Sequence, residues 1–97
     1  MGRTLAIDIE TYSDVDLISC GVYKYSSSPH FEILLIAYSV DDEETVCIDV
    51  ANGEEPPKEF MEMLFDDTVT KTAFNANFER TCFSNYYQHS FRPEAWR

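Results

Sequence analysis

The chain has 97 residues, enough for one small domain or part of one. Hydrophobic residues make up 44 % and aromatics 14 %, which excludes a disordered polymer and allows a packed core. Eighteen acidic residues against 7 Lys and Arg give a formal charge of −11, so the surface as a whole repels nucleic acid and anionic membranes.

Met1-Gly2-Arg3 leads directly into an extended segment, which predicts no signal peptide. No apolar run is long enough to span a bilayer, so no membrane partner is expected. Cys20, Cys47 and Cys82 are few, odd in number and far apart. They read as reduced thiols of a cytoplasmic protein rather than a disulfide framework or a zinc site. His30 and His89 have no ligand spacing and read as surface or satisfied histidines.

Thr4–Thr11 predicts a β-strand. Leu5, Ile7 and Ile9 alternate onto one face, and Ala6, Asp8 and Glu10 onto the other. Same-face neighbours lie roughly 6.6 Å apart at the backbone, so the Asp8 and Glu10 carboxylates can converge. Like charges side by side repel. A hard divalent cation between them would remove the conflict; a strand whose polar end meets solvent would also account for the pattern.

Ser13 or Asp14 is positioned to cap one short helical turn over Asp16-Leu17-Ile18, stopped at Gly21. Val22–Tyr25 reads as a short extended piece, and Ser26–Pro29 as a loop. Phe31–Val40 is the longest apolar run. Phe31, Ile33, Leu35 and Ala37 alternate with Leu34, Ile36, Tyr38 and Val40, which suits a strand covered on both sides, with a buried helix as the other reading. Asp41-Asp42-Glu43-Glu44 marks a solvated hairpin tip, and Thr45–Val50 a one-sided strand at an edge. Pro56-Pro57 opens a helix buried through Phe60, Met63 and Leu64 and ended at Asp66-Asp67. Val69–Phe74 reads as a fourth strand. Asn75 or Asn77 then caps a second helix that runs to Gln88 or His89. The strands predict an antiparallel meander joined by short turns, then a helical crossover to a strand parallel to the first. The fold class is α/β (α+β), in a three-layer plan with the carboxylate strand near the middle. Trp96, one residue from the end, is expected to have little to pack against, and the chain reads as a fragment of a larger protein.

On the second helix Glu79 shares a face with Cys82, Phe83 and Tyr86, the face that must pack on the sheet. A buried carboxylate without a partner is unfavourable. It either joins Asp8 and Glu10 around a divalent metal, or sits at the margin near the helix N-terminus and pairs with Arg80 or Lys71.

The DIET of residues 8–11, followed by Asn75-Ala76-Asn77-Phe78-Glu79 after the fourth strand, resembles the DEDD (DnaQ-like) 3′–5′ exonucleases, which have an RNase H-like fold. The stretch GVYKYSSSPHFEILLIAYSVDD is similar to the segment joining the two motifs in the proofreading domain of phage and prophage family A DNA polymerases. The resemblance implies that residues 1–97 are the N-terminal part of one exonuclease domain, truncated before its last strand and helix. It implies two-metal (Mg²⁺ or Mn²⁺) hydrolysis of the 3′-terminal phosphodiester of DNA in a bacterial cell. Asp8, Glu10 and Glu79 match its catalytic metal ligands, Glu79 standing where the family usually has Asp. Thr11 and Asn75 match residues that line the substrate cleft. Tyr12, Phe74 and Phe78 are candidates to stack on unpaired terminal bases, with core packing as the other role. The family's final aspartate and water-orienting Tyr or His have no counterpart before Arg97, so the chain alone is expected to be inactive. Expected partners are a single-stranded DNA 3′ end, the polymerase portion of a parent chain, and a second copy covering the truncated edge through Phe91 and Trp96. A non-catalytic RNase H-like scaffold or protein-interaction module is the alternative reading.

Overall fold

A computed structural model describes residues 3–97, and Met1-Gly2, where the absence of a leader was expected, lies outside the described residues. β1 (Thr4–Tyr12), β2 (Glu32–Val40) and β3 (Val46–Ile48) run antiparallel in turn, and β4 (Thr70–Thr72) lies parallel to β1. The strand order is β3-β2-β1-β4, which puts the Asp8 strand inside the sheet and β3 at its edge, as expected. Parallel pairing needs a crossover. It is supplied by a 3₁₀ turn at Val50–Asn52 and helix α2 (Lys58–Phe65). Helix α3 (Ala76–Tyr87) follows β4.

The hydrophobic alternation of β1 sets the core. Leu5, Ile7 and Ile9 are buried under α2 and α3, against Phe60, Met63, Leu64, Cys82 and Phe83. Ring contacts of 4.8 Å between Tyr38 and Phe60 and 6.3 Å between Phe60 and Phe83 join sheet to helices. The other face carries the half-buried Ala6, Ala37, Ser39 and Thr72 and the exposed Asp8 and Glu10. Among the described residues the helices therefore cover one face only. The three-layer plan and the doubly covered β2 are corrected to two layers. The phase of β2 also differs from simple alternation. Glu10 pairs with Leu35 but Thr11 pairs with Ile33, so Leu34 is an extra residue in a bulge. Ile33 consequently shares burial with Ile36, Tyr38 and Val40.

The connection from β1 to β2 is helical. Asp16, not Ser13 or Asp14, caps α1 (Leu17–Ser27), its carboxylate accepting the Ile18 N–H at 3.3 Å. Gly21 does interrupt the first turn, at φ 84°, where a side chain would be strained. Beyond the kink, however, Val22–Ser27 resumes the helix instead of extending. Tertiary contact decides this: Asn85 of α3 donates to Ser26 Oγ at 2.7 Å and to the Tyr23 carbonyl at 3.3 Å. Two elements are also shorter than expected, since β3 stops at Ile48 and β4 spans only Thr70–Thr72.

Trp96 is not short of neighbours. It is buried against Phe91 (5.8 Å) and Phe83 (6.2 Å), and Phe91 is buried as well. Neither side chain is available to a second copy in the way the sequence suggested. The Arg97 N–H donates to the Lys71 carbonyl at 2.8 Å, and the Ala73 N–H donates to the Arg97 carbonyl at 3.1 Å. The outer edge of β4 is thus paired by Trp96-Arg97. His30 and His89 are exposed, and the His89 ring packs on Phe65 and Phe91 at 4.9 and 4.5 Å.

The acidic tip joining β2 to β3 does more than meet solvent. Asp41 and Asp42 both have positive φ, 50° and 65°, as a type I′ hairpin requires. Asp41 also accepts the Thr4 N–H at 2.8 Å and pairs with Arg3 at 3.4 Å. Asp42 bears the same backbone conformation, which for an L-residue costs about 1 kcal/mol. Asp42→Gly should therefore stabilise the chain by about 0.5–1 kcal/mol, read as a higher urea midpoint with unchanged slope.

Candidate functional site

Asp8 and Glu10 leave β1 on the uncovered face of the sheet, and both are exposed. Around Asp8 the face forms a shallow hollow lined by Ala6, Ala37, Ser39, Thr72 and Phe74. Small side chains there keep the carboxylate open to a ligand. Phe74 is fully exposed beside it, an orientation suited to stacking and not to core packing. The bulge beyond Glu10 lies next to this site, a common place for the device.

Glu79 arrives from the other layer. Asn75, not Asn77, caps α3, its Oδ1 accepting the Phe78 N–H at 3.3 Å. This fixes the first turn and turns Glu79 inward, where it is 4 % exposed. Its Oε1 is buried with no hydrogen-bond partner among the described residues. The expected pairing with Arg80 or Lys71 does not occur. Arg80 donates to Asn77 at 2.9 Å, and the buried Lys71 ammonium donates to the Asp66 carbonyl at 2.5 Å. Burial pushes the Glu79 carboxyl up to about 7; its own backbone N–H opposes the shift and the Asp8 charge adds to it. Glu79 and Asp8 therefore feel each other electrostatically. Asp8, Glu10 and Glu79 do not form a ready-made cluster: among the described residues no three His, Cys, Asp or Glu side chains gather as a metal group. Cys82, beside Glu79 on the buried face, has its thiol pushed up to about 12 by burial and is chemically quiet.

Thr11 and Tyr12 end β1. Tyr12 is half-exposed, while the Thr11 hydroxyl lies 3.0 Å from that of Tyr25. Tyr25 packs edge-on to Phe31 at 5.8 Å and against Phe78 at 6.1 Å. Phe78 thus takes the packing role. Asn75 is exposed, with its amide nitrogen free of the cap. Sequence reasoning missed Tyr25 because it placed residues 22–25 in an extended piece. The helical spacing of Val22, Tyr25 and Ser26 was the available signal. It also missed Ile18, which is 96 % exposed near the start of α1.

The chain is similar to a phage DNA polymerase. It is 50 % identical over 95 residues to the DNA polymerase of Bacillus phage SP02, a match that takes in 98 % of this chain and 15 % of that polymerase. The chain thus spans about 15 % of the length of this relative. No family model matches the chain, and no solved structure does. Among the described residues no helix is long and apolar enough to cross a membrane.

Proposed function

We propose that the chain is part of a 3′–5′ exonuclease domain of a phage-type DNA polymerase, trimming the 3′-terminal nucleotide of DNA during replication. One observation carries the reading: Glu79, buried with its Oε1 left without a hydrogen-bond partner, has its carboxyl raised to about 7 with Asp8 close enough to add to the shift. A site that holds two acidic groups against their mutual repulsion lacks positive charge. The donors are all carboxylate oxygens, the choice of Mg²⁺ and Mn²⁺. Asp8 and Glu79 would hold such an ion, with Glu10 on the same strand face within reach of a second. When bound, the ions supply Lewis acidity toward a phosphodiester.

The chain's own residues do the rest. Asp8 and Glu10 fix the charge on a rigid inner strand. Tyr25 holds the Thr11 hydroxyl at the end of that strand. Phe74 and Tyr12 offer exposed rings to unpaired bases. The strand order, with three antiparallel strands and the fourth parallel to the first, supports an RNase H-like arrangement. The identity to a DNA polymerase supports membership in a longer polymerase chain.

The test is end-resolved digestion. A polymerase-length protein carrying this chain should release mononucleotides from the 3′ end of single-stranded DNA only when Mg²⁺ or Mn²⁺ is added. Release from the 5′ end, or none with either metal, would reject the reading. The lack of a ready-made group of three metal-ligating side chains among the described residues favours the scaffold alternative, which predicts no release.

A further inference from the structure

A second surface separates itself from the acidic remainder of the chain. α1 and α3 lie side by side, joined through Asn85 and Ser26, and leave a groove on their outer side. Tyr23, Arg80, Thr81, Ser84, Gln88 and His89 are among the residues that line it, and none of the lining residues is Asp or Glu. In a chain with 18 acidic residues against 7 basic ones, that is a local reversal of sign. The groove begins at Asn77 and Arg80, which flank Glu79 in sequence, and ends at Ser90. At 1.5 Å per residue it tracks α3 from Asn77 to Tyr87 for about 15 Å away from the candidate site.

Its chemistry is that of a phosphate-contacting surface. Arg, hydroxyl and amide side chains supply most protein contacts to nucleic-acid backbones. Tyr23, 68 % exposed, adds a ring on which a base can stack. The Arg80 guanidinium gives one hydrogen bond to Asn77, which leaves further donors in a fixed fork. Carboxylates, which would repel phosphate, are missing from this groove and present at Asp8 and Glu10.

We propose that the α1–α3 groove is the track for the single-stranded DNA backbone upstream of the terminal nucleotide. The assignment rests on the nuclease reading, because it takes the strand end to lie at Asp8 and Glu79. It explains how a chain of charge −11 keeps hold of a polyanion: metal at the end, and a carboxylate-free groove behind it.

The experiment is fluorescence anisotropy of labelled dT12 and dT2 on the 97-residue chain with Mn²⁺, across a salt series. Mn²⁺ broadening at Asp8 and Glu79 is followed in the same samples. dT12 should bind more tightly than dT2. Arg80→Gln should weaken dT12 about three- to tenfold and lower the salt slope by about 0.7, the value of one single-strand phosphate contact. Ser84→Glu should weaken dT12, and Ser84→Lys should tighten it about threefold, a gain that misfolding cannot produce. The effect on dT2 should be small in each case. Wild-type affinity for dT12 in all three variants would overturn the track and favour a protein partner for the groove. If the groove variants respond while Mn²⁺ leaves Asp8 and Glu79 untouched, the groove stands as an oligonucleotide site and the nuclease reading falls.

Discussion

Glu79→Gln should make the metal-free protein more stable at pH 8 and leave it nearly unchanged at pH 4. The reason is the carboxyl raised from 4.5 to about 7 by burial, with Asp8 adding to the shift. The folded state holds that proton more tightly than the unfolded chain. Its favourable contribution is complete below pH 4.5 and is lost as the pH rises to about 7, after which an anion is buried without a partner. The window corresponds to about 3 kcal/mol, a large share of a small domain's stability. Gln keeps the shape and removes the titration. The difference between wild type and Glu79→Gln in unfolding free energy, read from urea titrations, should therefore grow by about 3 kcal/mol from pH 4 to pH 8. A constant difference across that range would mean that Glu79 does not carry the buried charge. The carboxylates of Asp16 and Asp66, lowered by their Ser19 and Thr68 hydrogen bonds, pull stability the other way below pH 4 in both proteins and cancel in the comparison.

Asp8→Asn should cut metal-dependent trimming by at least about 100-fold in a polymerase-length protein carrying this chain. Loss of a group that merely orients a metal ligand already costs 10- to 100-fold, and Asp8 would be a ligand itself. Folding should survive the change, because Asp8 is exposed on the uncovered face and makes no core contact. Polymerisation by the same protein serves as the internal control and should be unaffected. Glu79→Asp should keep part of the trimming, since it retains the charge and shortens the reach, whereas Glu79→Ala should lose most of it. Equal trimming by Asp8→Asn and wild type would remove the carboxylates from the mechanism.

The inner strand was legible because its alternation is strict, with Leu5, Ile7 and Ile9 on one face and Ala6, Asp8 and Glu10 on the other. The order of the strands followed from a helix between β3 and β4, which forces a parallel return. The buried stripe of α2 was likewise a local signal, borne out by Phe60, and of the two candidate caps of α3, Asn75 and Asn77, Asn75 accepts the Phe78 N–H. What failed to show was set by distant residues. α1 is a kinked helix of Ser, Tyr and Gly whose second half is held by Asn85, far along the chain. The extra residue at Leu34 changes which side chains of β2 are buried, and an alternating apolar run carries no mark of it. Trp96 finds its pocket through Phe83 and Phe91, contacts that no nearby pattern announces. At the site, the residue types of Asp8, Glu10 and Glu79 were readable, but not that Glu79 is buried with its Oε1 unpartnered, nor that the three do not gather as a ready-made metal group.

Mn²⁺ titration of the 97-residue chain, followed by NMR at pH 6, 7 and 8, tests the central claim most directly. Resonances of Asp8 and Glu79 should broaden first and saturably. The midpoint should move to about fivefold lower Mn²⁺ between pH 6 and 7 and about twofold lower again by pH 8, because the ion must displace the proton held by Glu79. Asp8→Asn should abolish the selective broadening. Uniform, unsaturable broadening over the acidic surface, or a selective response that survives Asp8→Asn with no pH dependence, would contradict a divalent-metal site built on these two carboxylates.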